Sequence, residues 1–268
     1  MARITVNGLS LHVEEHGDGA PVLLLHGFPD SGRLWRHQVP FLVANGFRVI
    51  VPDMRGFGRS DLPGEVGAYR LREVVGDVIG IMDAAGAETA HVVGHDWGAA
   101  VAWLAASLRP DRVATLVALS VPHPLVPATL RQREMAWYTL FFQFAGVAEE
   151  TIRYDDWAWL RMFCRGDGDM DQWISDLSRP GALTAALNWY RANLAPRPPG
   201  PPPPLPEIPV PTMAIWSARD HYLDGERVRQ SAAYVTGPWR YEEIPDASHW
   251  IPLDAPDRLN TLLADWLS

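Results

Sequence analysis

The chain is poor in cysteine and in positive charge, and it has no long apolar run. Cys164 is its single cysteine, so no disulfide can form within the chain, and a reducing cytoplasm suits it best. Nothing around that thiol marks it as a nucleophile, and it reads as an inert buried residue. Twenty-three Lys and Arg residues stand against 32 Asp and Glu, for a formal net charge of −9. That balance argues against nucleic acid or an anionic membrane as a partner and describes a self-repelling, soluble surface. No apolar run approaches the roughly 20 residues that span a bilayer, and Met1 to Gly8 has no signal-peptide core. Neither an internal repeat nor a cluster of metal ligands is visible, so no metal or organic cofactor is expected. What the chain does have is apolar material: 47% of its 268 residues are hydrophobic. That is enough for one large domain, or one domain with an insert.

Asn7-Gly8 lies between two β-like runs and reads as a hairpin turn. Continuous apolar runs follow at Val22–Leu25, Phe47–Val51, His91–Val93, Val113–Leu119 and Met213–Trp216. Such runs suit strands of a buried parallel sheet. Helical patterns lie between several of them, over Leu71–Ala85 and Gly98–Leu108. The alternation predicts a doubly wound, mostly parallel α/β fold. From about Pro122 to Leu194 the rhythm changes: no strand pattern is present and aromatics are dense, Trp137, Tyr138, Phe141, Phe142, Trp189 and Tyr190 among them. The Pro-rich stretch Pro196–Pro211, with Pro201–Pro204 at its centre, reads as a stiff tether back to the sheet. The expected organisation is a core over 1–121, a helical cap with its return linker over 122–205, and the rest of the core over 206–268.

The chemistry is carried by Gly94-His95-Asp96-Trp97-Gly98. A strand-turn-helix element of the Gly-x-x-x-Gly type lifts its middle side chain out of the sheet as a nucleophile elbow. Here that side chain is a carboxylate. A carboxylate is a poor acyl-transfer nucleophile but displaces well at saturated carbon, leaving an alkyl-enzyme ester. Asp96 therefore points to epoxides or alkyl halides and away from ordinary esters and peptides. The turn Leu25-His26-Gly27-Phe28-Pro29 can aim the Phe28 N–H at the nucleophile's carbonyl, and the Trp97 N–H supplies a second oxyanion-hole donor. Asp220, after a late strand, is the candidate orienting acid, with Asp224 a weaker competitor. His249, in Pro245-Asp246-Ala247-Ser248-His249-Trp250, is the candidate base among nine histidines. It is chosen because the order nucleophile, acid, histidine is that of α/β-hydrolase triads. His26 and His95 flank the site and read as structural.

On these motifs the chain resembles the α/β-hydrolase superfamily over its whole length, and within it the epoxide hydrolases. His26-Gly27-Phe28-Pro29, Gly94-His95-Asp96-Trp97-Gly98 and Arg55-Gly56-Phe57-Gly58-Arg59-Ser60-Asp61 match that family's pattern. Two segments are similar to those holding its cap tyrosines, one around Tyr138 and one around Tyr190. The resemblance implies an α/β-hydrolase fold with an inserted helical cap. It also implies conversion of an apolar epoxide and water to a vicinal diol, with Tyr138 and Tyr190 acting on the epoxide oxygen. Independently, a phenol with a reference pKa of about 10 is a sensible hydrogen-bond or proton donor to a developing alkoxide; the competing reading is that both rings merely pack an aromatic core. A haloalkane dehalogenase is the alternative activity, although such enzymes typically carry Asn where this chain has Phe28. A non-catalytic, ligand-binding α/β-hydrolase is the alternative of another class. A monomer or homodimer is expected.

Overall fold

The computed structural model describes residues 2–196, 200 and 204–268. The expected polyproline core at Pro201–Pro203 lies outside the described residues. β1 (Ala2–Val6) and β2 (Leu9–His16) form the hairpin expected at Asn7-Gly8. Both turn residues have positive φ, 49° and 74°, the backbone that two-residue hairpins need and that Asn-Gly supplies cheaply. β3 (Ala20–Leu25), α1 (Gln38–Ala44), β4 (Phe47–Pro52), α2 (Leu71–Ala84), β5 (Ala90–His95), α3 (Trp97–Leu108) and β6 (Val113–Leu119) follow in alternation. Five helices and no strand come next among the described residues: α4 (Leu130–Met135), α5 (Tyr138–Phe141), α6 (Val147–Phe163), α7 (Met170–Leu177) and α8 (Ala182–Asn193). The chain then returns through β7 (Thr212–Ser217), α9 (Gly225–Gln230), β8 (Trp239–Ile244), α10 (Ile251–Asp254) and α11 (Pro256–Leu267).

The eight strands make one sheet in the order β1-β2-β4-β3-β5-β6-β7-β8. Pairings from β4 to β8 are all parallel, while β2 runs antiparallel to both neighbours. β3, β5 and β6 are nearly continuous in buried Val, Leu and Ala because helices cover both faces of the sheet. α3 fits over its centre because its small residues Ala99, Ala102, Ala105 and Ala106 are fully buried and let it approach closely. β8 lies at the sheet edge and reads Trp-Arg-Tyr-Glu-Glu-Ile with only Ile244 buried. A half-exposed edge strand has no continuous apolar run, so its extent was not legible in the sequence. No helix among the described residues is long and apolar enough to cross a membrane.

The parallel topology gathers the chemistry. The segments after β3, β5, β7 and β8 all leave from the C-terminal ends of parallel strands, so His26–Pro29, Asp96, Asp220 and His249 meet at one edge of the sheet. The helical segment between β6 and β7 lies against that edge.

Candidate active site

Asp96 occupies the single residue between β5 and α3 and holds φ 52° and ψ −121°. A non-glycine side chain pays for that conformation. The turn closes because its neighbours lack a Cβ: one on Gly98 would sit 2.1 Å from the Leu25 carbonyl oxygen, and one on Gly94 would sit 2.3 Å from that of Gly98. The two carboxylate oxygens then have different surroundings. Oδ1 accepts the Phe28 N–H at 2.7 Å. A Cβ on Gly27 would lie 2.2 Å from that same oxygen, so only glycine lets the donor reach it. Oδ2 faces His249 Nε2 at 3.7 Å. Burial alone would raise the Asp96 pKa, but the hydrogen bond and charge of His249, helped by the Trp97 N–H, outweigh it and hold the carboxyl below its usual range.

His249 Nδ1 lies 2.7 Å from Asp220 Oδ2. Asp220 is buried, and its Oδ1 accepts the N–H groups of Tyr222 at 2.7 Å and Leu223 at 2.9 Å, which fixes the carboxylate. Burial pushes the His249 pKa down, yet the charge and hydrogen bond of Asp220 and the nearby Asp96 carry it up to about 10. In the free protein it is an imidazolium between two carboxylates. Asp224, the competing acid, is elsewhere: it accepts the Glu226 N–H at the start of α9 and the Thr129 hydroxyl. His95 and His26 brace the site. His95 Nε2 meets the His249 carbonyl oxygen at 2.9 Å, and burial lowers the His95 pKa to about 3, so its ring stays neutral. His26 Nε2 accepts the Met54 N–H at 2.9 Å.

Tyr138, on α5, and Tyr190, on α8, stand over Asp96 with ring centroids 6.0 Å apart. Tyr190 meets the Trp97 ring edge-on at 5.0 Å. Burial, and then the Asp96 charge, push both phenols well above 10, so both keep their protons. Their scaffold is tied down. Trp189 Nε1 donates to the Arg55 carbonyl oxygen at 3.1 Å, and the Asn193 side chain joins Tyr69 O and Leu71 N. Arg191 and Glu149 form a buried ion pair at 2.8 and 3.0 Å that links α8 to α6, and Arg191 Nε also holds the Phe142 carbonyl oxygen at the end of α5.

A cavity of about 770 Å³ opens above the carboxylate, within the size range of small-molecule sites. Its walls come from α4, α5, α8 and the loop after β6, where Val121 and Pro122 lie. Among the described residues no group of three or more His, Cys, Asp or Glu side chains could hold a metal ion. Cys164 is buried, and burial raises its pKa, so it is not a thiolate. Sequence reasoning missed Asp30, which is buried one residue beyond Pro29. Its Oδ1 accepts the indole N–H of Trp173 on α7 at 2.7 Å, and its Oδ2 has no partner among the described residues. Burial, only partly opposed by that indole, raises its pKa to about 7. Its adjacency to Phe28-Pro29 was the available signal.

Comparison with known proteins gives the family. Residues 20–256 match the α/β-hydrolase fold family. Epoxide hydrolase A of Mycobacterium tuberculosis is 35% identical, with 99% of this chain and 96% of that protein covered. The AB hydrolase superfamily protein YfhM of Bacillus subtilis is 34% identical over 98% of this chain and 96% of its own. A solved epoxide hydrolase from hot-environment metagenomes superposes with a TM-score of 0.89 at 31% identity, covering 100% of this chain and 98% of that one. A glycine-framed carboxylate elbow, a buried Asp-His pair and near full-length similarity on both counts lead to one assignment: the chain belongs to the α/β-hydrolase superfamily and, within it, to the epoxide hydrolases.

Proposed function

We propose that this enzyme opens an apolar epoxide to a vicinal diol through a covalent ester on Asp96. The observation that carries the reading is the division of one carboxylate between a backbone N–H at Oδ1 and a histidine at Oδ2, beneath two protonated phenols. Asp96 Oδ2 attacks one ring carbon and the C–O bond on that carbon breaks. The leaving oxygen develops alkoxide charge and takes a hydrogen bond and then a proton from Tyr138 or Tyr190.

Esterification removes the charge of Asp96, one of the two carboxylates that raise the His249 pKa. The imidazolium can then pass its proton through solvent to the phenolate left by ring opening, and the neutral ring, oriented by Asp220, takes one from water. Hydroxide adds to the ester carbon. The tetrahedral oxyanion forms on Oδ1, where the N–H groups of Phe28 and Trp97 stabilise it. Collapse breaks the bond from the carboxyl carbon to Oδ2, the leaving oxygen takes the proton of the added hydroxyl, and the diol departs with the carboxylate and the imidazolium restored. In this reading residues 122–205 are a cap that brings the two acids to the nucleophile of a core formed by 1–121 and 206–268.

His249→Gln tests the mechanism. Alkylation needs Asp96 and the phenols, whereas hydrolysis needs the base. Intact-mass spectrometry after mixing with styrene oxide is expected to show one substrate mass added, on a peptide containing Asp96, and then a stall. Multiple turnover by this variant at the wild-type rate, with no adduct, removes both the ester and His249 from the scheme.

A further inference from the structure

Tyr222 lies two residues beyond the orienting acid, in the loop between β7 and α9, and it is buried. Each of its polar groups is bonded, and each bond reaches a different part of the site. Its backbone N–H donates to Asp220 Oδ1 at 2.7 Å. Its carbonyl oxygen accepts Gln132 Nε2, on α4, at 2.8 Å. Its hydroxyl donates to the carbonyl oxygen of Phe163, the last residue of α6, at 2.7 Å. Carbonyls in the last turn of a helix have no partner within it, so the phenol supplies from the core a donor that α6 lacks. Burial pushes the Tyr222 pKa well above the ordinary tyrosine value, so the hydroxyl keeps the proton it donates.

The ring is fixed as well. It meets His249 edge-on at 5.3 Å, Tyr138 at 5.9 Å and Trp250 at 5.8 Å. Phe163, whose carbonyl the hydroxyl holds, meets Tyr138 edge-on at 5.0 Å, lies 4.9 Å from the Tyr222 ring and stacks on Trp159 at 4.8 Å. Phe163 and Tyr222 thus both bear on the Tyr138 ring, and one hydrogen bond fixes their spacing. α6 needs such an anchor. Its backbone leaves the helix at Asp155, Asp156 and Trp157, with φ of 51°, 52° and 63°, a left-handed turn that costs non-glycine residues free energy. Residues 158–163, which carry the rings packed toward Tyr138, are therefore not held in line by a continuous helix from Val147. Their far end is tied to the core by the Tyr222 hydroxyl.

We propose that Tyr222 is a positioning residue for ring opening: its hydroxyl holds the end of α6, and through Phe163 and its own ring it keeps the Tyr138 phenol over Asp96. The proposal rests on the epoxide-hydrolase reading, in which Tyr138 is one of two acids on the leaving oxygen. The loop after β7 then has two duties. Asp220 orients the base that hydrolyses the ester, and Tyr222 steadies an acid that helps to form it. A proton donor must meet the leaving oxygen at hydrogen-bond distance, and small displacements of such a group slow the step it serves.

Tyr222→Phe removes the hydroxyl alone, leaving the ring and both backbone bonds. The two half-reactions are separated in a rapid-quench single turnover of styrene oxide, with the ester on Asp96 followed by intact mass. Ester formation is expected to slow roughly 10-fold, the scale of one buried hydrogen bond. Ester hydrolysis, which needs His249 and Asp220, should stay nearly unchanged, an outcome that a general loosening of the fold would not give. Placed on Tyr138→Phe, the same substitution should slow ester formation little further, because it acts through a phenol already removed. Tyr234→Phe, which loses a hydroxyl bond of the same kind to Leu125 O at 2.9 Å, is the control and should leave both steps as they are. Ester formation at the wild-type rate in Tyr222→Phe, equal slowing of both steps, or an undiminished further loss on the Tyr138→Phe background overturns the role of Tyr222 and leaves the epoxide-hydrolase reading standing. A wild-type protein that forms no ester defeats that reading, and this role with it.

Discussion

In the proposed mechanism Tyr138 and Tyr190 decide which leaving group the site can serve. A halide departs as a weak base and needs no proton, whereas an epoxide oxygen departs as a strong one. Losing one phenol is expected to slow ring opening by roughly 10²- to 10⁴-fold, the usual worth of a general acid, or by less where its twin compensates. Tyr138→Phe/Tyr190→Phe should slow it beyond either single change. Phenylalanine retains the edge-on contacts that Tyr138 makes with Phe142 at 5.5 Å and Tyr222 at 5.9 Å, so packing should survive. Single-turnover alkylation of Asp96, with a bromoalkane of similar size as control, measures this. An unchanged epoxide rate in the double variant, or wild-type turnover of the bromoalkane alone, transfers the site to dehalogenation.

The turn between β5 and α3 depends on close backbone approach. Gly98→Ala would drive a methyl group to 2.1 Å from Leu25 O, at the end of the strand that leads into the Phe28 turn. Relief requires moving backbone, so the variant is expected to lose more than the roughly 1–3 kcal/mol of ordinary overpacking and to lose activity with it. Gly64→Ala, where nothing lies within 4 Å, is the matched control. Urea denaturation of both separates a close-approach effect from a general glycine effect, and equal midpoints refute the argument. Elements of this kind were legible in the sequence because local chemistry dictates them: Asn7-Gly8 demanded a hairpin, Val22–Leu25 a buried strand, and Gly94–Gly98 an elbow. Asp220 and His249 were legible through their order after strands. The Asp30–Trp173 bond was not, because it joins residues 143 apart in sequence across separate elements. Nor was the role of Arg191, whose partner Glu149 sits on another helix of the same insertion.

At the scale of the whole molecule, two buried groups link stability to pH with the same sign. Asp30 titrates near 7 in the folded state against an ordinary 3.8, so folding retains a proton that the unfolded chain releases. The Asp30 contribution to stability should fall as pH rises from about 4 to 7, by an amount on the order of a few kcal/mol. His249 is raised to about 10 from 6.5; its contribution is complete below 6.5 and is lost as pH rises toward 10. The lower window is shared with His95 and His123, whose pKa values burial lowers to about 3 and about 4 and whose contributions rise with pH, so the Asp30 contribution is read from melting temperatures of wild type and Asp30→Asn compared from pH 4 to 10. Asp30→Asn, which can still accept from Trp173, should be relatively more stable than wild type at pH 8 than at pH 4. A difference between the two proteins that does not change between pH 4 and 8 contradicts this account of Asp30.

The unequal treatment of the two Asp96 oxygens has a consequence for bookkeeping by isotope. Oδ1 is anchored by the Phe28 N–H, so in the proposed mechanism Oδ2 is the atom transferred to the product. Water then refills Oδ2, and each diol molecule should carry oxygen drawn from solvent one cycle earlier. With excess enzyme in ¹⁸O-water, the first diol is expected to be unlabelled and the protein one label heavier. A second addition of substrate should release diol that is almost fully labelled. A carboxylate free to rotate between cycles would scramble this memory and give close to half. The ratio measured in the second diol thus reports how firmly one backbone amide holds one oxygen.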